Sequence, residues 1–188
     1  IRAEYFDYNI LKNIVKARED AVIININKDY KIYSNIIIYN IQDEIIYTKD
    51  KTSALFQSKY KFDSKNIVFL KNLMEFSSKE KSTLTDNENL YNFSKFNYLV
   101  SKEILKGEEI IINSNYKLPT SDKFYFSNGI LNLKNQNFIG KDTTIKIHKG
   151  IFDNSDNDPR VKGVSSVNKD NITVIKKGVF TSCKKNDG

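Results

Sequence analysis

The 188-residue chain has no tryptophan, one cysteine, one histidine, one methionine, two prolines and only seven glycines. One cysteine and one histidine exclude a self-contained zinc site, an internal disulfide framework and a Cys/His dyad with a spare partner. So few prolines and glycines exclude collagen-like or linker-like chain. The glycines at 107, 129, 140, 150, 163, 178 and 188 are isolated, so no glycine-rich phosphate loop is present. Apolar runs such as Ile36-Ile37-Ile38-Tyr39 and Ile110-Ile111-Ile112 fall far short of the roughly 18 residues a spanning helix needs. With 39% hydrophobic and 28% charged residues, the chain is neither a disordered polyelectrolyte nor a helical membrane bundle.

Arginine is also scarce. The net charge is +7, which invites a nucleic-acid reading, but only Arg2, Arg18 and Arg160 stand among the 30 basic residues. Lys, Asn, Ile, Tyr and Phe, all with AT-rich codons, make up 98 of the 188 residues, so codon bias explains much of the basicity. Base and phosphate recognition draws on the guanidinium fork. Its near absence argues against a nucleic-acid partner. The chain starts at Ile1 with no signal-peptide pattern and stops at Lys184-Lys185-Asn186-Asp187-Gly188, which reads as a piece of a longer protein.

What is present is a period of two. Val22, Ile24 and Ile26 alternate, as do Tyr30, Ile32, Ser34, Ile36 and Ile38, then Ile45 and Tyr47, then Ala54, Phe56, Ser58 and Tyr60. Ile67 to Leu70 is a short apolar run; Phe124 and Phe126, Leu131 and Leu133, Ile145 and Ile147, and Ile172 and Val174 repeat the device. Most are β-branched or aromatic, which suits a pleated sheet packed on one side. Turn chemistry separates the runs at Asn27-Lys28-Asp29, Asn40 to Asp43, Asp63 to Asn66, Ser127-Asn128-Gly129 and Lys134 to Asn137. Strands start ten to twelve residues apart, as in β sandwiches and β solenoids. Tyr8 to Lys16 and Tyr98 to Leu105 read as strand or turn rather than helix, and Ser77 to Asn89 reads as a long loop. The chain, 1–188, shows no domain boundary.

Few residues point to chemistry. Asp153-Asn154-Ser155-Asp156-Asn157-Asp158 resembles a calcium loop but lacks the sixth-position glycine and the twelfth-position glutamate, where Val164 stands, so it reads as a polar turn. His148 follows Ile147 in an alternating strand and is expected to face solvent, with no triad around it. Scattered carboxylates do not reveal a glycosidase pair. Nothing argues for an enzyme or a cofactor. Cys183 is either an unremarkable thiol or half of a disulfide whose partner lies beyond residue 188.

The phrase Asn157-Asp158-Pro159-Arg160-Val161-Lys162-Gly163-Val164-Ser165-Ser166, followed by Gly178-Val179-Phe180-Thr181-Ser182-Cys183, resembles the periplasmic N-terminal region of the LptD lipopolysaccharide-assembly family. Ala3-Glu4-Tyr5-Phe6-Asp7-Tyr8-Asn9 is similar to one half-repeat of the OstA-like domain shared by LptA, LptC and LptD. The family's Gly-Asn-Val turn is replaced here by Ala17-Arg18-Glu19-Asp20-Ala21-Val22. The resemblance implies an all-β fold, an open β-jellyroll (β-taco) of stacked short antiparallel strands. It implies lipopolysaccharide transport at the periplasmic face of the outer membrane, with acyl chains in an apolar groove.

Its expected partners are lipopolysaccharide, an LptA-like bridge protein bound by edge-strand pairing, and an outer-membrane β-barrel with its plug lipoprotein. Ile24, Ile26, Ile36, Ile38, Phe56, Leu70, Phe124, Phe126, Leu133, Ile145 and Ile147 are the expected groove lining, Asn157, Asp158, Pro159 and Arg160 a structural turn, and Cys183 a disulfide half. The alternative is a β-sandwich or β-solenoid module that binds an acidic polysaccharide, with a closed, dry core.

Overall fold

Most of the described residues lie in antiparallel strands. The computed structural model describes residues 1–152 and 157–183. The first three strands are β1 (Tyr5–Asn9), β2 (Ile14–Asn25) and β3 (Tyr30–Asn40). The middle of the chain forms β4 (Ile45–Phe56), β5 (Tyr60–Lys65), β6 (Val68–Leu70), β7 (Glu75–Ser78), β8 (Ser82–Thr85), β9 (Leu90–Phe93), β10 (Lys95–Leu99) and β11 (Ile104–Asn113). The last strands are β12 (Lys123–Asn132), β13 (Asn137–Lys146), β14 (Arg160–Lys169), β15 (Ile172–Lys176) and β16 (Val179–Thr181). All pairings are antiparallel.

Each pass of the chain bends near its middle. β5 leads straight into β6, β7 into β8, and β9 into β10, while β4 and β11 run through the bend. The bends use the left-handed backbone region, at Glu19, Asp20, Asp50, Asn66, Glu109 and Asp142. None of the described glycines has a positive φ. Acidic and amide side chains take these positions; Asn and Asp tolerate them best because their short polar groups bond the local backbone. Chain reversals use the same device, for example at Asn13, Asp29, Glu44, Met74, Glu103 and Gln136.

Where a ladder breaks at a bend, buried hydroxyls take over the hydrogen bonding. Ser34 Oγ donates to the carbonyls of Lys49 and Lys51, each at 3.1 Å. Thr52 Oγ1 donates to Thr48 Oγ1 at 2.6 Å, and Ser78 Oγ donates to the Lys65 carbonyl at 2.7 Å. Ser64 and Ser82 hydroxyls meet at 2.6 Å, and those of Thr143 and Ser166 at 2.7 Å.

The ladders return on themselves. β4 pairs with β5 through its C-terminal half and with β6 through its N-terminal half. At the other side, β11 pairs with both β9 and β10. The order β4-β5-β8-β9-β11-β10-β7-β6 therefore closes into an eight-strand antiparallel barrel. One wall is β5, β8 and β9, the opposite wall is β6, β7 and β10, and bent strands make the corners. Strands β1 to β3 extend the sheet beyond β4, and β12 to β16 extend it beyond β11.

This corrects the expected open jellyroll of stacked short strands. Strand periodicity reports which side chains share a face, but not whether hydrogen bonding closes a ring. Several strands are also longer than expected, ten to twelve residues with a bend. The segment expected as a long loop, Ser77 to Asn89, holds the end of β7 and all of β8.

The barrel is filled. Phe56, at the end of the corner strand β4, packs on Phe69, Phe76 and Tyr98 of the β6, β7 and β10 wall, with centroids 4.8–5.8 Å apart. Phe62 stacks on Phe96 at 5.2 Å across the same interior. Such edge and offset contacts add to the burial of each ring.

Candidate functional site: interior, outer grooves and the Cys183 edge

The interior is an apolar band that crosses the strands from Ala17 on β2 to Phe138 on β13. Of the residues expected to line a groove, Phe56, Phe126, Leu133 and Ile145 are buried, and Phe124 packs against the core. Ile36, Ile38 and Leu70 are half-buried on the opposite face, next to the buried Ile37 and Phe69. Ile147 lies just past β13, half-buried, its amide donating to the Pro159 carbonyl. Ile24 is exposed and Ile26 is 87% exposed in the turn after β2.

The reason is a change of parity at the bends. Tyr30, Ile32 and Ser34 point inward on β3, but after Asn35 the inward residue is Ile37. The same step separates Tyr60, Phe62 and Ser64 from Ile67 and Phe69. A one-residue slip reverses every later side chain. On β2 the inward set is Ala21 and Ile23, so Ile24 falls outside. Interior residues absent from the expected lining include Tyr30, Ile32, Ile37, Phe62, Phe69, Phe76 and Tyr98. The turn-like Asn35 and Asn66 were the available signal for their register.

At the turn ends the two walls meet through side chains. Tyr60 donates its hydroxyl to Glu103 Oε2 at 2.7 Å, Gln57 Nε2 donates to the Val100 carbonyl at 3.4 Å, and Gln136 Nε2 donates to Glu88 Oε2 at 3.0 Å. Among the described residues no backbone-to-backbone hydrogen bond joins the turns of Gln57, Tyr60 and Glu88 to those of Val100, Glu103 and Gln136. Burial raises the Tyr30, Tyr60, Tyr91 and Tyr98 hydroxyls above the ordinary tyrosine range; at Tyr60 the hydrogen bond and charge of Glu103 push the same way. Among the described residues the buried Tyr98 hydroxyl has no hydrogen-bond partner. Lys71 is raised chiefly by its hydrogen bond to the Tyr39 hydroxyl, at 2.8 Å.

Two open grooves flank the bend on the outer faces of the walls. The first, about 890 Å³, lies along the row Tyr33, Ser53, Asp63, Thr83, Asn92 and Ile111, which are successive cross-strand partners. The second, about 820 Å³, lies along Val68, Ser77, Asn97, Lys106, Ile130 and Ile139, also partners in sequence.

Both sheet edges carry exposed apolar side chains. On β1 these are Tyr5, Phe6 and Tyr8; on β15 and β16 they are Ile172, Val174, Val179 and Phe180. Cys183 is free and exposed beside the second edge. The Asn157–Pro159 segment is irregular, and Arg160 opens β14. Arg160 Nη1 donates to the carbonyls of Cys183, at 2.9 Å, and Asp158, at 3.0 Å, and to Asp158 Oδ2 at 3.1 Å. Asp158 N donates to the Ser182 carbonyl, so this turn clasps the chain just before Cys183.

His148 is half-covered rather than fully solvent-facing. Its Nδ1 sits 2.9 Å from Asp122 Oδ1, which also accepts its backbone N–H at 2.8 Å. Of the calcium-loop-like run, residues 153–156 lie outside the described residues. Among the described residues no three His, Cys, Asp or Glu side chains converge as a metal site. No protein-family model matches the chain, and no curated protein matches it.

Proposed function

We propose that the chain is a lipopolysaccharide-transport domain at the periplasmic face of an outer membrane, related to the N-terminal region of the LptD family. It takes acyl chains into its apolar interior and passes them to a membrane-embedded barrel. The observation that carries this reading is the interior band itself, which runs across the strands from Ala17 to Phe138. Apolar lining of this kind favours lipid by roughly 25 cal/mol per Å² removed from water.

The way in is the line where the turn ends meet. Three side-chain hydrogen bonds, each worth about 1 kcal/mol net, hold Gln57, Tyr60 and Glu88 to Val100, Glu103 and Gln136. Parting them leaves every strand ladder intact. The unpaired Tyr98 hydroxyl gains a partner when a polar lipid group enters.

Apolar, unpaired edge strands invite aggregation unless a partner covers them. The edges at β1 and β15/β16 support strand addition by an LptA-like bridge protein at one end and by the barrel, with its plug lipoprotein, at the other. The exposed thiol of Cys183 supports a disulfide to a cysteine elsewhere in that assembly.

The test is photo-crosslinking to lipopolysaccharide. A photoreactive residue replaces Phe124 or Ile145, direct partners on the inner face, with Lys123 and Lys146, direct partners on the other face, as controls. Lipid adducts are expected at the first pair alone. Adducts only at the controls, or none in folded protein, overturn the reading. The acidic-polysaccharide module is favoured by one observation, the filled aromatic core, and is the reading that an adduct-free folded chain supports.

A further inference from the structure

The bend between β4 and β10 carries an unusual row of charge. Lys51 and Lys65 are direct cross-strand partners, and Lys81 lines the same groove one strand further on. Like charges placed opposite one another in a sheet destabilise it. None of these three lysines forms an ion pair among the described residues, and all three are exposed. The one carboxylate of the groove beside them, Asp63, is already paired with Lys61 at 3.1 Å. Asp20 and Glu109 stand at the groove's two ends, so the basic stretch is confined to its middle. Neighbouring strands lie about 4.8 Å apart, so three lysines on successive passes span about 10 Å.

The rest of the groove suits a sugar. Ser53, Thr83, Asn92 and Ser94 offer hydroxyl and amide groups, and Tyr33 presents a half-exposed ring. Polar donors and acceptors around an aromatic face match a polyhydroxylated ring with apolar C–H surfaces.

We propose that this outer groove binds an anionic oligosaccharide two or three units long, its phosphate or carboxylate groups held by Lys51, Lys65 and Lys81. The site is on the opposite face of the wall from the lipid interior and does not depend on lipid entering it. If both are used, one molecule's acyl and sugar parts are held on opposite faces; if only the groove is used, the domain is a glycan-binding module.

The test is calorimetric titration of the full chain with three probes: a phosphorylated oligosaccharide from fully deacylated lipopolysaccharide, an oligogalacturonate, and a neutral malto-oligosaccharide. One or both anionic probes bind and the neutral one does not. The arm that binds identifies phosphate or carboxylate as the group recognised. The triple change Lys51→Gln, Lys65→Gln, Lys81→Gln weakens binding by about tenfold or more. The same triple raises or preserves the melting temperature, because like-charge repulsion is relieved. A control triple at the exposed Lys12, Lys28 and Lys134 leaves binding within about twofold. Equal losses in both triples, unchanged binding in the groove triple, or equal binding of the neutral sugar overturn the proposal. The crosslinking result leaves it standing or falling on its own, since that experiment reads the inner face.

Discussion

Asp50 and Asn66, each in the left-handed region, hold one another across the bend. Asn66 N donates to the Asp50 carbonyl at 3.2 Å, and Asp50 N donates to Asn66 Oδ1 at 3.1 Å. This pair sets where β5 gives way to β6, and hence the parity of every inward residue beyond it. Asn66→Ala removes the side-chain acceptor and adds left-handed strain, and is expected to cost about 1–3 kcal/mol. Asn66→Asp keeps an acceptor and costs less. Urea denaturation midpoints check the ranking; equal losses for the two would sink it.

Tyr60 and Glu103 join the two walls at their turn ends. Tyr60→Phe and Glu103→Gln are each expected to cost about 1 kcal/mol, and the double variant less than the sum. Denaturation of the four species measures the coupling. Additive losses would show that the contact does not tie the walls.

The buried tyrosines make the fold sensitive to alkali. Tyr30, Tyr60, Tyr91 and Tyr98 are raised above 10.0 in the folded chain, so the folded state holds protons that the unfolded state releases. Their contribution is complete below about pH 10 and is lost as pH climbs above it. Tyrosinate formation by the buried set is expected to coincide with loss of the β-sheet circular-dichroism signal. A single smooth titration with the sheet intact would contradict this.

Gly140 has no room for a side chain, because a Cβ there would run into the Phe126 ring. Gly140→Ala is expected to cost about 1–3 kcal/mol through overpacking. Gly150, whose Cβ would meet only the edge of the His148 ring at 4.0 Å, is the control and should lose far less. Thermal melts of the two variants provide the comparison.

Phe56 and Ile26 look equivalent in an alternation pattern and are opposite in the structure. Phe56 is fully buried among five aromatic rings, and Phe56→Ala should cost about 3–5 kcal/mol. Ile26→Ala, in an exposed turn, should stay within about 0.5 kcal/mol. Similar losses at the two sites would mean the strand register is wrong.

The amino-acid order by itself determined the all-β class and chain reversals such as those at 27–29, 40–43 and 134–137, whereas Ser127-Asn128-Gly129, expected as a turn, lies inside β12. Alternating β-branched and aromatic residues define a strand face locally, and Asn, Asp and Ser define the turns; both are short-range properties. The inward faces of Phe56, Phe124, Phe126 and Ile145 follow from that local pattern. Tertiary structure alone decided the rest. The left-handed Asn66 shifts the parity of β6 beyond it, and the register shift at Asn35 does the same on β3, so Leu70, Ile36 and Ile38 left the face that alternation assigned them. Closure of the ladders through β4 and β11 joins residues far apart in the chain, and nothing in a single strand encodes it. The opposition of Lys51 to Lys65 likewise exists only once β4 and β5 pair.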